Sequence, residues 1–162
     1  MFYTASAEDV ATLATDNLYK TFLLIRNPNT AGMRFRLRRL RLTPADNSPQ
    51  DLNVGVRIMR IDDYAGGTAG TSVSTISAVD MPKKDTNGPI ADQLADVDFS
   101  VEPTVFSSTL FTDGINVRGG IPIWWEEEEA FKFAFNQACG ILLAPRGTTI
   151  ARLNVHAGFE RY

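Results

Sequence analysis

The residues that could do chemistry in this 162-residue chain are few: one histidine, one cysteine and a run of four glutamates. His156 sits in LNVHAGF, on the polar side of an alternating apolar pattern. A catalytic or cupin-like metal centre needs two or three clustered histidines plus a carboxylate. A single histidine cannot supply that set. A Ser-His-Asp arrangement would have to use His156, yet no GxSxG elbow or other nucleophile motif is present. His156 therefore reads as a structural or surface residue. Cys139 lies in the apolar stretch FNQACGILL and reads as a buried, inert thiol. As the only cysteine, it forms no intramolecular disulfide and no multi-cysteine metal site. Glu126 to Glu129 lack the Asp, Asn and Gly spacing of a Ca²⁺ loop. Between IPIWW and FKFAF they read as a solvated turn, free to meet a basic surface on a neighbour. The glycine-rich GGTAG and RGG open no helix and carry no GK[ST], so they are not phosphate loops; Gly119-Gly120 reads as a sharp turn. No catalytic, cofactor-binding or metal-binding residues are assigned, and an enzyme is not expected.

Binding is better represented than catalysis. The stretch MRFRLRRLRLTP, Met33 to Pro44, carries five arginines. Met33, Phe35 and Leu37 alternate with Arg34, Arg36 and Arg38, the period of a half-buried strand. The apolar positions then move to Leu40 and Leu42, a phase slip at Arg38-Arg39 of the kind a β-bulge produces. A nucleic-acid grip would want exposed aromatics between the basic residues, but Phe35 falls in the apolar phase. The net charge of -3 and pI near 5.1 also argue against nucleic acid. The arginines are expected to form a cationic outer face, or a row paired with acidic groups across a sheet or subunit boundary. Arg34, Arg36, Arg38 and Arg39 are the candidate partner-docking residues, together with Trp125. Trp124 and Trp125 are adjacent, so in a strand one points inward and the other outward.

The elements that must position these residues are short strands. TFLLIRN, LNVGVRIMRID, TSVSTISAV, TVFSSTLF, FKFAFN, GILLAP and TTIARLNVHAGF are β-type runs separated by Pro, Gly, Asn and Asp turns. FKFAFN alternates on Phe131, Phe133 and Phe135. No long helical period occurs. The pattern predicts one all-β sandwich or barrel over residues 17–162. Residues 1–16 show no sustained period and read as an extended N-terminal arm, since EDVATLA is too short to hold a helix alone. No apolar run approaches the ~20 residues of a membrane span, and the start carries Glu8 and Asp9 rather than a secretory signal. A reducing, aqueous compartment is expected.

The layout adds a resemblance. VATLATDN leads into TFLLIRNP and the alternating MRFRLRRLRLTP; DFSVEPTVFSSTLFTDG occupies the middle; GILLAPRG and TTIARLNVHAGFE close the chain. Over residues 10–160 this pattern resembles the small jelly-roll decoration or cement proteins of tailed-bacteriophage heads. The resemblance implies an antiparallel jelly-roll sandwich of about eight strands. It also implies a homo-oligomer, a trimer in preference to a dimer, whose partner is the major capsid protein. Such a protein is made in the host cytoplasm and sits on the outer capsid surface of the virion, with an N-terminal arm reaching across the shell. Neither cofactor, nucleic acid nor membrane enters that role. The alternative expectation is a carbohydrate- or receptor-binding module of a phage fibre or tail, using Trp124 or Trp125.

Overall fold

A computed structural model describes residues 2–26, 34–45, 51–62, 71–81, 89–103, 106–134 and 136–162. Met33 and Phe135, both placed in strand patterns by the sequence, lie outside these residues. Eleven strands form: β1 (Phe2–Ala11), β2 (Lys20–Arg26), β3 (Phe35–Pro44), β4 (Asn53–Ile61), β5 (Thr71–Met81), β6 (Pro89–Val101), β7 (Phe106–Asn116), β8 (Ile121–Trp124), β9 (Phe131–Phe133), β10 (Ala138–Pro145) and β11 (Arg152–Arg161). That exceeds the eight expected, because PIADQLADVDFSV extends as one strand and the β3 edge is lined by two short ones.

All recorded pairings are antiparallel, in the order β7-β4-β10-β2-β6-β5-β1-β11-β3-β8, with β9 joined to β3 beside β8. The chain is an all-β sandwich. One layer is β1-β11-β3-β8, the other β7-β4-β10-β2, and β6 and β5 link them. Alternation builds the core between them. Leu153, Val155, Ala157 and Phe159 of β11 and Phe35, Leu37, Leu40 and Leu42 of β3 face Val54, Val56 and Ile58 of β4 and Ile141 and Leu143 of β10. Phe35 stacks on Phe133 at 4.7 Å between ring centroids and meets Phe159 edge-on at 5.5 Å.

Strands β2 and β10 are buried on both faces, which explains their unbroken apolar sequences. Their second face is covered by Phe99 near the end of β6 and Phe106 at the start of β7, packed with Leu24, Ile61 and Ala138. Gly140 makes room for this cover, since a Cβ there would lie 2.5 Å from the Phe106 ring. Glu102 ties the passage down: its carboxylate accepts the Thr21 N–H at 2.8 Å and the Thr21 hydroxyl at 2.5 Å.

The N-terminal segment is not an arm. Phe2–Ala11 is β1, paired with β11 on one side and β5 on the other. Tyr3, Ala5, Ala7 and Val10 are buried. The small alanines leave little apolar signal, yet they face the core because long strands lie on both sides. Asp9, at φ 51°, marks the bulge where the β1–β11 register shifts, and its carboxylate accepts from Arg152 Nε at 2.7 Å.

Candidate functional site

The bulge anticipated at Arg38-Arg39 is present. Arg39 pairs with Gly158 and Leu37 with Phe159, so Arg38 is the extra residue in β3. Without it, Arg39 would point into the core. With it, Phe35, Leu37, Leu40 and Leu42 all turn inward and Arg36, Arg38, Arg39 and Arg41 are kept off the core.

These arginines then divide. Arg36 is only 8% exposed, so of the two expected arrangements it takes the one paired with an acidic group across the sheet rather than the outer docking face. Its Nε donates to Glu160 at 2.7 Å, its terminal nitrogen meets Glu127 at 2.7 Å, and its guanidinium lies 4.9 Å from the Tyr162 ring centroid. Arg38 reaches the same Glu160 carboxylate at 3.9 Å. The reason is β11: its cross-strand position opposite Arg36 is Glu160, so the acidic partner belongs to the same chain. Arg34 is exposed, and its backbone exchanges hydrogen bonds with Tyr162 at the end of the ladder.

Arg36 beside Glu160 holds that carboxyl below the usual carboxylate range, against an opposing push from burial. A depressed carboxylate stabilises the fold at a pH above its ordinary range, and this contribution is lost as the pH falls through the lowered value. The Tm deficit of Glu160→Gln is therefore expected to amount to a few degrees at neutral pH and to close below about pH 4. A deficit undiminished in acid would show that shape rather than charge carries the contact.

Arg39 and Arg41 lie differently. Among the described residues neither has a carboxylate within ion-pair distance. Across β8, Arg39 pairs with Trp124 and Arg41 with Pro122. The Arg39 guanidinium sits 4.9 Å from the Trp124 ring centroid, and Trp124 is 67% exposed. Trp125, the tryptophan expected at the docking surface, is half-buried: it packs against Phe131 at 5.2 Å and Phe111 at 6.1 Å and also borders the smaller cleft beside Trp124. The Trp125 backbone N–H donates to the Arg38 carbonyl at 3.0 Å.

Two clefts flank Trp124. One, about 320 Å³, is lined by Arg39, Arg41, Thr43, Gly120, Pro122 and Trp124 among others. The other, about 240 Å³, includes Arg38, Arg39, Trp124, Glu126 and Gly158. Gly158, opposite Arg39, adds no side chain to the second cleft. Gly120 shapes the first: it has φ 58°, and a Cβ there would stand 2.6 Å from the Leu42 carbonyl.

Of the remaining chemistry-bearing residues, His156 pairs with Arg41 across the β11–β3 ladder and Glu126 borders the smaller cleft. His156 Nδ1 lies 2.9 Å from Ser6 Oγ across the β1–β11 ladder, and burial lowers the imidazole pKa. Cys139 is fully buried in β10, where desolvation pushes its thiol far up. Glu126 to Glu129 form an exposed turn closed by Glu129 and Ala130 N–H groups donating to the Glu126 carbonyl, with Glu127 turned back to Arg36. The described residues bring no three His, Cys, Asp or Glu side chains together in a metal-binding group. The sequence showed Trp124 and Arg39 as separate features. Their contact depends on the β3–β8 register, which local alternation does not contain.

No family model matches the chain, and no curated protein matches it. Among solved structures, an aminopeptidase from the marine sediment archaeon Thaumarchaeota archaeon overlaps 98% of this chain at 11% identity, with a TM-score of 0.20. The chain spans 23% of that protein's length, and an overlap this poor bears on neither fold nor function.

Proposed function

We propose that the chain is a virion structural protein of jelly-roll type, a decoration or cement protein on the outer capsid surface. Strand order is the observation that carries this reading. With the β5–β6 hairpin set aside and β8 and β9 counted as one broken strand, eight strands remain, and they pair first with last: β1 with β11, β2 with β10, β3 with β8, β4 with β7. Nested pairing of this kind is what a long hairpin rolled into two layers produces, and such rolls recur in capsid and lectin domains. In this reading the protein acts by contact rather than catalysis. It self-associates as a trimer and bridges neighbouring major capsid subunits, without direct nucleic-acid or membrane binding.

Self-association has a candidate surface. Segments 12–17 and 145–151 run side by side, joined by Thr12 N–H to Ala151 O at 2.8 Å, Asn17 N–H to Pro145 O at 2.9 Å and Gly147 N–H to Asp16 Oδ1 at 2.7 Å. Leu18 and Ile150, at the edges of these segments, are 49% and 46% exposed. Light scattering is expected to give the mass of three chains, and Leu18→Asp with Ile150→Asp to give one. Purified protein is expected to bind assembled shells and not free capsid subunits. A monomer that ignores intact shells would overturn the proposal.

A further inference from the structure

We propose that Trp124 and its two flanking clefts form a binding site for an acidic saccharide, with a carboxylated sugar in the larger cleft and a neutral sugar in the smaller. This site is independent of capsid attachment. Its first basis is the indole itself. Trp124 is two-thirds exposed, yet it is held by the β8 backbone and by the Arg39 guanidinium at 4.9 Å. A fixed, exposed aromatic ledge suits the apolar face of a sugar ring, and ordering it on binding costs little.

The second basis is charge. Arg36 and Arg38 are engaged by Glu160, whereas Arg39 and Arg41 have no acidic partner among the described residues. Both unpaired guanidiniums line the larger cleft, whose described lining contains no carboxylate. A guanidinium takes a carboxylate through two parallel hydrogen bonds, so an anionic ligand group fits there. The Thr43 hydroxyl in the same lining offers a further donor and acceptor.

The third basis is the asymmetry of the two clefts. They meet at Arg39 and Trp124, so one ligand can cross the indole and enter both. The smaller cleft adds Glu126, whose carboxylate accepts from sugar hydroxyls and repels a second anion. This order of groups selects an acidic sugar joined to a neutral one. A cleft near 300 Å³ also lies at the small end of ligand sites, matching a ring or two rather than a folded partner.

The test titrates the full chain with four probes: a hyaluronan hexasaccharide of alternating glucuronate and N-acetylglucosamine, neutral chitohexaose, tetraglutamate and AMP. Binding is read by calorimetry. The hexasaccharide is expected to bind at least ~10-fold more tightly than the other three, and to weaken as salt rises. Trp124→Ala and Arg41→Gln are each expected to weaken it by at least ~10-fold. Both side chains are exposed, so thermal melts should match the parent. Arg41→Gln carries the test if Trp124→Ala melts early. Trimer mass and shell attachment should survive in both variants, which separates failure here from failure of the capsid role. Equal binding of chitohexaose would overturn the role of the arginines, tighter AMP would make this a nucleotide site, and tighter tetraglutamate a peptide-docking site. No binding of the hexasaccharide, or unchanged binding in both variants, would overturn the proposal outright.

Discussion

A chain lacking residues 2–11 is expected not to fold. The segment is β1, and it carries the ladder from β5 to β11. Removing it strips Tyr3, Ala5, Ala7 and Val10 from the core. It also breaks the hydrogen-bonded path that joins the two layers and leaves one edge of β11 unpaired. Each of these losses is substantial, and a domain's total stability is only about 5–15 kcal/mol. Exposed edges of this length also invite aggregation. The truncated chain should show no cooperative thermal transition and no dispersed amide spectrum. A truncated protein that kept both would mean that residues 2–11 are a dispensable arm.

Phe159→Ala is expected to cost about 3–5 kcal/mol, the range for deleting a fully buried aromatic side chain. Phe159 is completely buried, stacks with Tyr3 at 5.7 Å between centroids and meets Phe35 at 5.5 Å. Its loss would open a cavity where β1, β3 and β11 meet, and the surrounding backbone is held by ladders on both sides of β11. Urea unfolding should show a lower midpoint with an unchanged slope. Phe159→Leu should lose much less, near 1 kcal/mol, because most of the volume is kept. Equal losses for the two variants would indicate that ring contacts rather than volume dominate.

Legibility followed the range of the physical cause. The β-bulge in β3 was visible because alternation is local: a change of apolar phase from Leu37 to Leu40 needs no knowledge of the partner strand. The burial of Cys139 and the turn at Glu126 to Glu129 were legible for the same reason. The opposite held for β1. Its inward positions include two alanines, so residue type hardly distinguished its two faces, and only the neighbours β5 and β11 show which face is buried. Arg36 is similar, because its partner Glu160 lies 124 residues along the chain. An arginine bound for solvent and one bound for a cross-strand carboxylate look alike in sequence.

The tryptophan pair makes the same division. Sequence required that Trp124 and Trp125 point opposite ways, since neighbours on a strand must. Which of them reached solvent was decided by the pairing of β8 with β3, which sets Trp124 beside Arg39 and turns Trp125 toward Phe111 and Phe131. By itself the sequence determined the all-β class, the phases of β3 and β11, the bulge and the turn at Glu126 to Glu129, all set within a few residues by side-chain period and backbone sterics. The tertiary structure alone decided the place of β1 in the sheet, which arginines are neutralised, and which indole is left for a partner. Those outcomes depend on register between strands far apart in the chain, and a one-residue change of register reverses every face.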